Sequence, residues 1–174
     1  MKLTGSRVLT GAALALSLAF CGTGAWTYAQ ARADDSLAYG HARDEALADG
    51  RARLAVLTTL DASSRQTAQQ GIRAWGAAAT GPLRDELART EPKAGASARG
   101  TVTEAALTSL DDHTGTAKLI ATVRVQVTPP GAKSPTTDRK RLEAVLTRTS
   151  EDEWKIKALS AIPLARVVEG GDGS

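Results

Sequence analysis

The hydrophobic and polar positions along this chain change period twice. Val8 to about Trp26 is an apolar run with no charge before Arg32, preceded by Lys2 and Arg7. About 20 uncharged residues suffice to cross a hydrocarbon core as a helix. From Asp34-Asp35-Ser36, an N-cap by composition, a charged and Ala-rich stretch carries Leu47, Leu54, Leu57 and Leu60 at helical spacing. Gly40 and Gly50 each weaken a helix by about 1 kcal/mol relative to Ala, so this pattern predicts a helix that breaks or frays near them. Ser63 with Gln66 reads as a capping box, followed by Ala68, Ile72, Trp75 and Ala79 on one helical face. Thr80-Gly81-Pro82 ends that helix and opens another, which presents Leu83 and Leu87 and closes at Glu91-Pro92.

Beyond a flexible stretch at 93–98 the period becomes two. Residues 99–110 predict a strand with imperfect alternation, consistent with a bulge, and Asp111–Gly115 a turn. Ala117, Leu119, Ala121, Val123, Val125 and Val127 then alternate with polar residues, Ile120 being the one apolar residue on the polar face. Pro129-Pro130-Gly131 ends this strand, and the loop to Asp138 is polar. Leu142, Ala144 and Leu146, and after a turn at Ser150–Asp152 the trio Trp154, Ile156 and Ala158, form two further alternating faces. Short turns between successive strands predict an antiparallel meander. Helices that precede a sheet with one apolar face need that face to pack on, so the fold class is α+β, helices covering a curved antiparallel sheet. The organisation read from the pattern is a cytoplasmic 1–7, a transmembrane anchor or signal sequence 8–28, an extracytoplasmic domain 34–162 and a disordered tail 163–174 ending Gly-Gly-Asp-Gly-Ser.

The 174 residues leave roughly 140 for a single domain. Only 3% of the chain is aromatic against 42% hydrophobic, so the core is built from Ala, Leu, Val and Ile. Cys21 is the single cysteine, which excludes disulfides and thiolate chemistry in the domain. The net charge of +3 does not make a nucleic-acid protein: basic residues are interspersed with acids, and the densest cluster, Arg139-Lys140-Arg141, reads as a solvated strand end without aromatic neighbours for bases to stack on.

The N-terminal run decides the compartment. Arg7 before it keeps the N-terminus cytoplasmic, and Trp26 and Tyr28 at its outer end suit the headgroup region. Cleavage after Ala29-Gln30-Ala31, which would release a secreted domain, is the alternative. Phe20 before Cys21 disfavours a lipid-modified cysteine. Each reading exports the domain.

Catalytic chemistry is hard to place. The inward faces of the last three strands carry no His, Asp, Glu or Tyr. Glu104 shares its parity with Val102 and Ala106 and is the one strand carboxylate whose position admits an inward side chain; Trp75 and Trp154 are the other two residues suited to line a pocket. His41 and His113 belong to no ligand spacing, Asp111-Asp112 lacks the oxygen ligands of a calcium loop, and no phosphate loop or nucleophile elbow occurs. No catalytic residue, metal ligand or cofactor site is assigned.

The segments LAVLTTLD (54–61), ATGPLRDEL (79–87), GTVTEAALTSLDDHTGTAKLIATVRVQV (100–127) and EWKIKAL (153–159), in this order behind an N-terminal apolar span, resemble the actinobacterial Mce-associated membrane proteins. The resemblance implies a cystatin-like cone similar to nuclear transport factor and ketosteroid isomerase. It implies an accessory subunit without enzymatic activity, anchored by a single pass in the cell membrane and working with the subunits of an envelope lipid-import machine.

Overall fold

The computed structural model describes residues 35–163, with three helices and four strands. Helix α1 (Asp35–Leu57) is followed by α2 (Arg65–Ala78) and α3 (Gly81–Ala88), then β1 (Ser97–Asp111), β2 (Thr116–Thr128), β3 (Thr136–Arg148) and β4 (Trp154–Ile162). The strands form one antiparallel sheet in the order β1-β2-β3-β4, the meander expected from the short turns. The 8–28 span with Arg7, Trp26 and Tyr28, and the tail beyond Pro163, lie outside the described residues. Among the described residues no helix is long and apolar enough to cross a membrane.

Helix α1 does not break at Gly50. Its buried stripe is Ala42, Ala46, Gly50 and Leu54, with Leu47 and Leu57 half-buried beside it. Spacing of four places these residues one above another on a single face. A Cβ on Gly50 would meet Leu146 Cδ2 at 2.9 Å and Leu119 Cδ2 at 3.4 Å. The glycine that propensity marks as a weak point is where leucine side chains of the sheet fill the room a Cβ would take.

Alternate residues of β2 meet that helix as their pattern requires: Ala117, Leu119, Ala121, Val123 and Val125 are all buried. Leu142, Ala144 and Leu146 of β3 join them, with Trp154 and Ile156 of β4. Leu54, Leu119, Leu146, Trp154, Ile156 and Val123 are the largest fully buried side chains. Strand β3 begins at Thr136 rather than after Asp138, extending the sheet through exposed residues paired with the end of β2.

Bulges change which residues face inward. Register shifts at Val102/Glu104 and Leu107/Ser109 each add a residue to β1 and restore inward parity at Ala105 and Leu110. Thr103 and Thr108, the extra residues, donate their hydroxyls to the carbonyls of Thr122 and Lys118. A third shift pairs Leu146 with Ile156 but Val145 with Ala158. The inward position of β4 therefore passes from Ile156 to half-buried Leu159, and Ala158, expected to face inward, is exposed.

The helices are fastened at their ends. The capping box of α2 is built on Ser64, not Ser63: the Ser64 hydroxyl accepts from Thr67 N–H, and Thr67 Oγ1 accepts from Ser64 N–H, both at 3.1 Å. Thr67 thus does what Gln66 was expected to do. After α2, Thr80 N–H donates to the Ile156 carbonyl, and Ala79 bridges the β4 edge in parallel. The stretch expected to be flexible is pinned from Gly95 on: Gly95 N–H donates to Ala62, and Leu60 and Ala98 exchange backbone bonds at 2.8 Å along the β1 edge.

At Gly100 the turn after α1 presses on β1. An added Cβ would overlap the Thr58 side chain and lie 3.0 Å from its carbonyl oxygen. Gly100→Ala should therefore cost about 1–3 kcal/mol by overpacking. Gly76, on α2 with nothing within 4 Å of an added Cβ, should gain up to about 1 kcal/mol as Ala. Urea denaturation of the two variants checks both signs.

Candidate functional site

The three residues chosen from the sequence to line a pocket are not brought together. The bulge at Thr103 moves Glu104 onto the parity of its partner Thr122, on the exposed outer face of the sheet. Trp154 is fully buried, its ring covered by the Arg148 guanidinium at 5.9 Å from the centroid. Trp75 is half-buried, and its indole N–H donates to the carbonyls of Val56 at 3.0 Å and Thr59 at 2.9 Å. It holds the end of α1, whose last carbonyls lack partners within the helix.

The interior of the cone is filled. Ala, Leu, Val and Ile side chains and Trp154 close it, and no polar or charged residue is buried among the described residues. Four carboxyls depart from their usual pKa, and all four move down. Backbone N–H donation from Ser63 lowers Asp61, followed by the Ser63 and Ser97 hydroxyls. The N–H of Thr114 lowers Asp111. The Lys140 ammonium lowers Asp138. Lys155 lowers Glu153, with Arg53 adding to it. Each is an exposed carboxylate held ionised by donors, the opposite of a desolvated general acid.

Asp111, Asp112 and His113 place ligand atoms within 4.8 Å of one another in the β1–β2 turn. One Asp111 oxygen accepts the N–H groups of both His113 and Thr114, and Asp112 pairs with His113 Nδ1 at 2.9 Å. An Asx turn accounts for the first contact and a surface pair for the second. His41 is exposed on α1.

A cleft and an ion-pair network lie outside the core. A cleft of about 600 Å³ runs between α2, α3 and the β4 edge, where Arg73, Arg84 and Lys155 line an apolar floor that includes Ile72 and Pro92. Lys155 is shared with Glu151 at 3.7 Å and Glu153 at 3.3 Å, and Glu153 reaches Arg53 at 3.1 Å. Arg53 also donates to the Ala77 carbonyl, so one network joins α1, α2 and the β3–β4 turn. Arg73 and Arg84 stand on successive helices, and no local pattern marks them as neighbours. The pairing of Arg53 with Glu153, 100 positions apart, is equally invisible in the sequence.

No protein-family model and no curated protein sequence matches the chain. Solved structures do. An IcmL-like type IV secretion system protein from Legionella pneumophila aligns at TM-score 0.52 and 12% identity, over 71% of this chain and 94% of that one. An NTF2-like protein involved in plasmid conjugation aligns at TM-score 0.49 and 10% identity, over 72% of this chain and 50% of that one. This chain thus spans half the length of the conjugation protein. ActVI-ORFA from Streptomyces coelicolor aligns at TM-score 0.42 and 15% identity, covering 71% and 90%. The described domain shares the fold of the IcmL-like protein, helices on a curved antiparallel four-stranded sheet.

Trp75→Phe removes a donor shared by two carbonyls and should lower stability by roughly 1 kcal/mol, with faster amide exchange at Thr58 and Thr59. Glu153, depressed below its ordinary value of 4.5, contributes stability that is present above that value and lost as pH falls through its folded pKa. Melting temperatures recorded from pH 6 downward, at about one-unit steps, should decline less steeply for Glu153→Gln than for the parent.

Proposed function

We propose that the chain is a non-enzymatic, membrane-anchored accessory protein of the cell envelope, presenting its NTF2-like domain outside the membrane as an interaction module of an Mce-type lipid transport system. The observation that carries this reading is the filled cone. Leu54, Leu119, Leu146, Trp154 and Ile156 occupy the interior, and no charged residue is among the buried ones in the described domain. The basic N-terminus, the apolar run 8–28 and Trp26 with Tyr28 support anchorage; the order of segments from 54 to 159 supports the Mce association. Among the described residues a pocket within the cone has no inward acid or base to work with, since Glu104 is on the outer face.

Affinity purification of the full-length, C-terminally tagged chain from crosslinked membranes tests the reading. The expected result is a chain that resists alkaline carbonate extraction, retains its N-terminal segment and carries lipid-transport subunits. Recovery from the medium with an N-terminus at Arg32 would overturn the anchor. Subunits of a secretion machine, the assembly named for the IcmL-like structure, would overturn the Mce assignment.

A further inference from the structure

The strand register assembles an arginine face that the sequence scatters over 43 positions. On the outer side of the sheet Arg124 of β2 pairs directly with Arg139 of β3. Arg141 follows two residues along β3, and Arg99 of β1 pairs with Gln126, two residues from Arg124. All four side chains are exposed, while Val123 and Val125 on either side of Arg124, and Leu142 after Arg141, face the core. Directly opposed residues in an antiparallel pair have Cβ atoms about 5 Å apart, and like charges there are destabilising. No ion pair among the described residues involves any of the four. The one carboxylate of this strand end, Asp138, has the opposite parity and is bound to Lys140 at 3.0 Å. Glu143 and Glu104, further along the same face, are not within ion-pair distance of it.

We propose that this face docks on an anionic phospholipid surface, the phosphates taking up guanidinium groups that no carboxylate among the described residues pairs with. Guanidinium forks match phosphate oxygens two at a time, and a strand face presents several to a planar array of headgroups. Bases would need stacking partners, and the face has no aromatic residue. The inference rests on the membrane-tethered reading, which would hold the domain within reach of headgroups.

The test uses the full chain with Cys21→Ser and Gln126→Cys, labelled with a fluorophore at position 126 and reconstituted in liposomes containing nitroxide-headgroup lipid. With phosphatidylglycerol present the probe should be quenched, and the quenching should fade as salt is raised. In pure phosphatidylcholine it should remain unquenched. Arg124→Gln with Arg139→Gln should reduce the ratio of docked to free domain roughly 25-fold, at about fivefold per arginine. Because it removes an opposed like-charge pair, this double variant should melt no lower than the parent. Equal quenching in the two lipid compositions would overturn the proposal and leave the face to an acidic protein partner; a double variant that melts well below the parent would also count against it. If carbonate strips the chain from liposomes while salt-sensitive quenching persists, the tether fails and the arginine face stands.

Discussion

Everything in this domain depends on how α1 packs on the sheet. Ala42, Ala46 and Gly50 give the helix a face almost without side chains, and Leu119 and Leu146 rise into the space at Gly50. With 3% aromatics in the chain, it is leucine side chains that fill the space between the layers there. The polar edge of the same helix then comes within reach of β3 and β4. Glu45 pairs with Arg148, Asp49 accepts the Trp154 N–H, and Arg53 pairs with Glu153, at successive turns of one helix. Trp75 holds the helix end.

The closed interior leaves the charged residues of the described domain outside it. A cone with a roomy mouth offers a pocket in which a carboxyl can be desolvated; this one has its depressed carboxyls in turns and ion pairs at the surface. What remains is two contrasting exteriors. The helical side has a cationic cleft whose Lys155 is already engaged by glutamates. The outer face of the sheet has Arg99, Arg124, Arg139 and Arg141, none of them in an ion pair among the described residues.

Much of the architecture was legible from period alone. β2 reads correctly at every buried position because a strand packed on one face and solvated on the other has to alternate. The helix breaks at Thr80-Gly81-Pro82 and the strand ends at Pro129-Pro130-Gly131 follow from backbone chemistry that operates within a few residues. Errors fell where a single residue was added or displaced. The shift between Ile156 and Ala158 exposed Ala158, and the cap moved from Ser63 to Ser64. Gly50 was misread because propensity weighs a glycine against water, whereas here it is weighed against Leu146.

The sequence by itself therefore determined the class of each element, the order of the meander, the α+β arrangement and the apolar span 8–28, since these follow from local period, charge and breaker residues. Only tertiary structure decided which face each residue takes after a bulge, how α1 packs on the sheet, and which charges find partners. Those outcomes depend on register between strands and on contacts between residues far apart in the chain. Arg124 and Arg139 are unremarkable surface residues until β2 and β3 pair. Once paired, they are opposed like charges with no counter-ion in the domain's described surface, and that electrostatic cost is what singles them out.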